Sequence, residues 1–103
     1  MMKVKVRKKN RIGAYTYDLI YVEGLERDFN LLGQCNSSRL VIRIEPTSPS
    51  AVKDVSLFHE VLHGIDDTSG CGLDEVNIDR LAQGIAHWLK ETMGLEFDWS
   101  EIK

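Results

Sequence analysis

Ser48-Pro49-Ser50-Ala51-Val52-Lys53-Asp54-Val55-Ser56-Leu57-Phe58-His59-Glu60-Val61-Leu62-His63-Gly64 is where the chain changes from a strand-like to a helix-like hydrophobic period. Ser48 reads as an N-cap with Pro49 at the first helical position, and no glycine follows until Gly64. A helix is predicted from about Pro49 to about Asp66. Downstream, Thr68-Ser69-Gly70-Cys71-Gly72 reads as a loop, and a second helix is expected from about Leu73 to Met93, stopped by Gly94. Upstream, Val4 and Val6 alternate with basic residues, Ala14 to Val22 is rich in Tyr, Ile, Val and Thr, and Leu40-Val41-Ile42-Arg43-Ile44 is a third strand-like run. Asn10-Arg11-Ile12-Gly13 supplies turn chemistry between the first two runs, and Leu31-Leu32 adds a short apolar stretch before Gly33. The fold class expected is α+β: a small, mainly antiparallel sheet from the N-terminal half packed with two C-terminal helices. The tail from Leu95 to Lys103, with Phe97 and Trp99, is expected to pack back on the body.

The 103 residues suit one domain, 1–103, with a single hydrophobic core. A 43% hydrophobic and 28% charged composition is that of a soluble globular protein, and no run approaches the roughly 20 apolar residues of a membrane span. Charge interrupts the apolar residues of Met1-Met2-Lys3-Val4-Lys5-Val6-Arg7, unlike a secretory leader, and two cysteines are too few for a disulfide scaffold. A cytoplasmic location is expected. The formal charge of -3 lacks the basic excess that nucleic-acid binding draws on, so neither nucleic acid nor membrane is an expected partner. Lys3, Lys5, Arg7, Lys8, Lys9 and Arg11 form a local basic stripe, most simply read as the solvated face and tip of an edge hairpin.

On a helix, His59 and His63 lie about 40° apart around the axis and about 6 Å along it, so two imidazoles can grip one cation. Val55, Phe58, Val61, Leu62 and Ile65 fall on the other side, which leaves the histidines free to face a cleft. Glu60 is turned about 100° from His59, where its carboxylate can reach water at the metal and act as general base. A catalytic zinc usually takes three protein ligands, so one more donor is required downstream.

Glu75 is the best candidate. Ile78, Ala82, Ile85, Ala86, Leu89 and Met93 make one apolar stripe on the second helix, and Glu75 and Asp79 lie along its edge. Carboxylates beside a packed stripe need partners. A cation for Glu75 and the spare ring nitrogen of a ligating histidine for Asp79 meet that need. An acidic first turn favoured by the helix dipole would explain Asp74 and Glu75, but Asp79 less well.

His59-Glu60-Val61-Leu62-His63 followed by Glu75-Val76-Asn77-Ile78-Asp79 resembles the gluzincin arrangement, in which a Glu-x-x-x-Asp segment on a second helix completes the site. Small phage and prophage metallopeptidase-like proteins are similar in plan, with strands first and two helices last. The resemblance is strongest over residues 56–90, and Leu32-Gly33-Gln34-Cys35 is its similar segment in the first half. It implies a minimal zincin-like fold, zinc as cofactor and a peptide or protein substrate. It further implies His59, His63 and Glu75 as ligands, Glu60 as base and Asp79 as support for His59. Eleven residues separate His63 from Glu75. Larger gluzincins place many more there, so the connection is a minimal loop and their substrate subdomain is missing.

Peptide hydrolysis also needs a donor for the oxyanion. Tyr15, Tyr17 and Tyr21 are possible donors, although alternating tyrosines in a strand usually pack across strands. His87 lies twelve residues past Glu75, about 18 Å along the helix, too far to be a ligand. Cys71, between two glycines, is either a fourth ligand or a small loop residue, and Cys35 reads as a buried thiol. The leading function is a zinc-dependent metallopeptidase holding extended substrate on an edge strand such as Leu40 to Glu45. The alternative is a non-catalytic zinc-binding regulatory or protein-interaction module, and a nucleic-acid regulator using the basic hairpin is disfavoured by the acidic total charge.

Overall fold

Strand β1 (Met2–Lys5) is followed by β2 (Lys9–Ile12) and β3 (Tyr15–Tyr21), which form an antiparallel hairpin in the computed structural model, where residues 2–103 are described. The hairpin turns at Gly13 and Ala14, later than the Asn10 to Gly13 turn expected, and Gly13 takes φ 61, a left-handed conformation that costs glycine little. A short helix α1 (Leu25–Phe29), strand β4 (Gly33–Asn36) and strand β5 (Val41–Ile44) follow. The sheet order is β2-β3-β5-β4, with β3 and β5 parallel and β4 antiparallel to β5.

Two of the three pairings in this sheet are antiparallel, in keeping with the mainly antiparallel sheet expected, and the parallel β3–β5 pair makes it mixed. The short α1 and β4 carry the chain back to the starting end of β3, and that return makes the β3–β5 pair parallel. β5 lies inside the sheet, so Leu40 to Glu45 is no edge, and the edge on that side is β4. Strand β1 does not join the sheet. It pairs in parallel with β6 (Leu95–Asp98), setting Lys3 opposite Glu96 and Lys5 opposite Asp98. Tyr17, Leu19, Ile42 and Ile44 form the centre of the core, closed by Trp99 and Ile102 from the returning tail.

Helix α2 spans Ser50–Ser69 and is capped by Pro49, one residue later than expected, while the Ser48 hydroxyl is buried without a partner. It also runs three residues past Asp66. Thr68 and Ser69 hydroxyls bond back to the Gly64 and Ile65 carbonyls, and Gly70 ends the helix at φ 69 by donating its N–H to Asp66. Helix α3 is Glu75–His87, started by Asp74, whose Oδ1 accepts from the Asn77 N–H at 2.8 Å. The expected continuation to Met93 is a π-helical turn, Trp88–Thr92, before Gly94 at φ 67. The buried stripe of α3 is Ile78, Ala82 and Ala86. Ile85 and Met93, assigned to that stripe from sequence, are exposed. α3 packs chiefly on α2, and one packed neighbour covers only a narrow stripe.

Candidate metal centre

α2 carries His59 and His63 one turn apart, and the Asp74 cap begins α3 immediately before Glu75. His59 Nε2 lies 2.6 Å from Glu75 Oε1. His63 Nε2 is 2.9 Å from Glu75 Oε2 and 3.2 Å from His59 Nε2. One donor atom from each of the three residues thus falls within 4.8 Å of the others, a cluster able to hold a metal ion. In a tetrahedral zinc site with ligands at about 2.0–2.1 Å, donor atoms sit about 3.4 Å apart. The cluster reaches that spacing by opening less than about 1 Å. His59 turns its other nitrogen, Nδ1, toward Asp79 Oδ1 at 3.5 Å, and Gln83 Nε2 donates to the second Asp79 oxygen at 3.0 Å. All four sequence-assigned residues of the metal site, His59, His63, Glu75 and Asp79, therefore meet.

Glu60 is only 7% exposed and lies against the edge strand β4. A Cβ on Gly33 would come within 3.0 Å of Glu60 Cγ, so the absent side chain is what lets strand and helix close here. Burial pushes the Glu60 carboxyl above its ordinary pKa. The His59 and His63 imidazoles oppose that rise, Glu75 adds to it, and the Cys35 amide opposes it more weakly. The Leu32 carbonyl bonds to the Glu45 N–H beyond the end of β5. By the alternation of an antiparallel ladder, the amides of Gly33 and Cys35 then face away from β5, toward Glu60.

These groups share one cleft of roughly 880 Å³, bounded by β4 and the preceding residues Asn30 to Leu32, by one face of α2 and by Glu75, Asp79, Gln83 and His87 of α3. His87 stands outside the metal cluster, as its distance along the helix required, yet it lines the same cleft. Sequence reasoning missed Gln83 and Gly33. The spacing Glu75, Asp79, Gln83, His87 was a usable signal, because four residues at i, i+4 share a helix face. None of the three tyrosines lines the cleft among the described residues. Tyr17 donates to Ser37 Oγ, which donates to Asp67, and the Tyr21 hydroxyl accepts from Lys53. Cys71 is exposed beside Ser69 and outside the cluster, while Cys35 is half-buried in the cleft wall with its thiol pKa pushed up by burial.

Comparison of the chain with models of known families, with characterised proteins and with solved structures found no match. Four of the N-terminal basic residues are divided between two sheets, with Arg7 and Lys8 in the connection between them: Lys9 pairs with Asp18, Arg11 Nε donates to the Gly13 carbonyl, and Lys3 and Lys5 stand beside the acids of β6. No helix among the described residues is long and apolar enough to cross a membrane.

Proposed function

We propose that this chain is a zinc-dependent metallopeptidase of minimal, gluzincin-like plan. The observation that carries the reading is the convergence of His59, His63 and Glu75 in a cleft, with Glu60 buried between that cluster and a free strand edge. His59 and His63 would hold the ion through Nε2 and Glu75 through its carboxylate, while Asp79 would orient the His59 ring. Zinc held there would supply the Lewis acidity that polarises a carbonyl and acidifies water. Glu60 takes a proton from the attacking water and returns it to the leaving amine. The outward backbone groups of β4 that Glu60 does not engage align an extended peptide as an added strand, the role earlier expected of Leu40 to Glu45.

Metal analysis of protein purified without added zinc should return about one equivalent. His63→Ala should lose the metal, whereas Glu60→Gln should keep it and lose at least about a hundredfold in peptide cleavage. Wild-type protein that takes up no zinc under any condition removes this reading. A second reading, a non-catalytic zinc module that binds a protein partner, is favoured by one feature. The ligands come from both α2 and α3, so an ion would tie the two helices together. Melting on chelation together with no cleavage across a peptide library would select it.

A further inference from the structure

The cleft has two ends of different chemistry. β4 runs in the same direction as α2, since Gly33 abuts Glu60 while Cys35 Sγ lies near Gly64, so Leu32 and Leu31 fall beside the earlier turns of α2. α3 runs the opposite way. Glu75 meets His59 and His63, Asp79 meets His59, and Gln83 and His87 continue at one-turn intervals back along α2. Every carboxylate lining the cleft, from Glu60, Asp67, Glu75 and Asp79, therefore stands at or beside the metal cluster.

At the other end the cleft is lined by Ala51, Val52 and Val55 of α2 and by Leu31 and Leu32, with the uncharged amides of Asn30 and Gln83 and the His87 ring as its polar groups. The lip is apolar and open to water: Leu31 is 37% exposed, Leu32 41% and the adjoining Phe29 69%. Asn30 at φ 55 turns the chain between them, so this short segment breaks α1 and presents its leucines outward. Leu31 and Leu32 thus leave apolar surface open to water within the cleft lining itself, and apolar surface gathered in a cleft is the usual mark of a binding site.

We infer that this end of the cleft is a specificity subsite that seats a large aliphatic or aromatic side chain of an extended peptide, about two or three residues from the bond cut. The spacing follows from the two repeats. Val55 and Val52 lie about 6 and 10 Å along α2 from His59, and an extended peptide advances about 3.3 Å per residue. Basic side chains are not selected, because among the described residues no carboxylate lines that end of the cleft. The inference rests on the peptidase reading for the word "cut", and on the cleft's lining alone for the seat itself.

The test uses zinc-loaded full-length protein and extended peptides that differ only in carrying Leu, Phe, Lys or Glu at each position around one bond. Cleavage should favour Leu or Phe at one position about two or three residues from the bond by about tenfold or more over Lys or Glu. Leu32→Glu, on the exposed lip, should abolish that preference and raise cleavage of the Lys peptide, with zinc content unchanged. Binding of the same peptides to zinc-loaded Glu60→Gln, followed by fluorescence anisotropy, separates the two ideas. Selective binding of Leu or Phe peptides that Leu32→Glu removes, without cleavage by the wild type, upholds the subsite and sinks the peptidase. Cleavage indifferent to the side chain, or a preference that survives Leu32→Glu, overturns the subsite and leaves the peptidase standing. Neither binding nor cleavage of any peptide overturns both.

Discussion

A methyl group on Gly33 would sit 3.0 Å from Glu60 Cγ, 3.1 Å from its Oε2 and 3.2 Å from Ile44 Cδ1. All three atoms belong to buried side chains, so the neighbours have little room to give. Gly33→Ala should therefore lower stability by about 1–3 kcal/mol, measured by urea denaturation, and push Glu60 away from β4 while zinc content is retained. Gly84 makes the opposite case, because a Cβ there meets nothing within 4 Å on the exposed face of α3. Gly84→Ala should stabilise by about 0.5–1 kcal/mol, the ordinary helical gain of alanine over glycine. Sequence pattern identified the histidines and Glu75 because their spacing is meaningful within a helix. It was silent on Gly33, whose importance depends on a side chain 27 positions away.

Elements with local signals were readable, and elements defined by their partners were not. Asp74 is a local signal: its carboxylate satisfies the Asn77 N–H in the first turn of α3, one residue before Glu75. Asp74→Ala should cost about 1 kcal/mol and, by fraying the turn that carries Glu75, weaken zinc binding as well. Calorimetry with and without zinc checks both parts, and an unchanged affinity would show that Glu75 is held by α2 alone. Helix α1 escaped sequence reading because five residues carry too little period to detect, and its start depends on Glu45, whose carboxylate accepts from the Glu26 N–H. The π-helical turn after His87 has no local signature that we can identify.

Across the whole molecule, two buried acids hold distant parts together. Asp54 on α2 accepts from Trp99 Nε1 at 2.7 Å and pairs with Lys90 Nζ at 2.6 Å, joining the tail and the π turn to the helix that carries His59 and His63. Asp54→Ala should lose about 2–4 kcal/mol in urea unfolding, and Asp54→Asn less, because it keeps an acceptor for the indole N–H. Glu45 is depressed below the ordinary carboxylate pKa, chiefly by the Glu26 N–H and with help from Thr47. Its ionised form therefore stabilises the fold fully above the unfolded value of about 4.3, and that contribution fades as pH falls through the lower folded value. Thermal midpoints should fall more steeply below about pH 4.3 in the wild type than in Glu45→Gln, and equal slopes would remove Glu45 from the account. The order of residues alone determined the existence of α2 and α3, the facing histidine pair, the acids that meet it and a returning aromatic tail. These rest on helical period, caps and glycine stops, all readable within a few turns. Only the tertiary structure decided that β1 pairs with β6, that β5 is internal and β4 the free edge, and that the cleft has an apolar end opposite its acidic one. Alternating strands fit any partner of the same pattern, so pairing is chosen by loop closure and shared burial across the chain, which no short window of sequence contains.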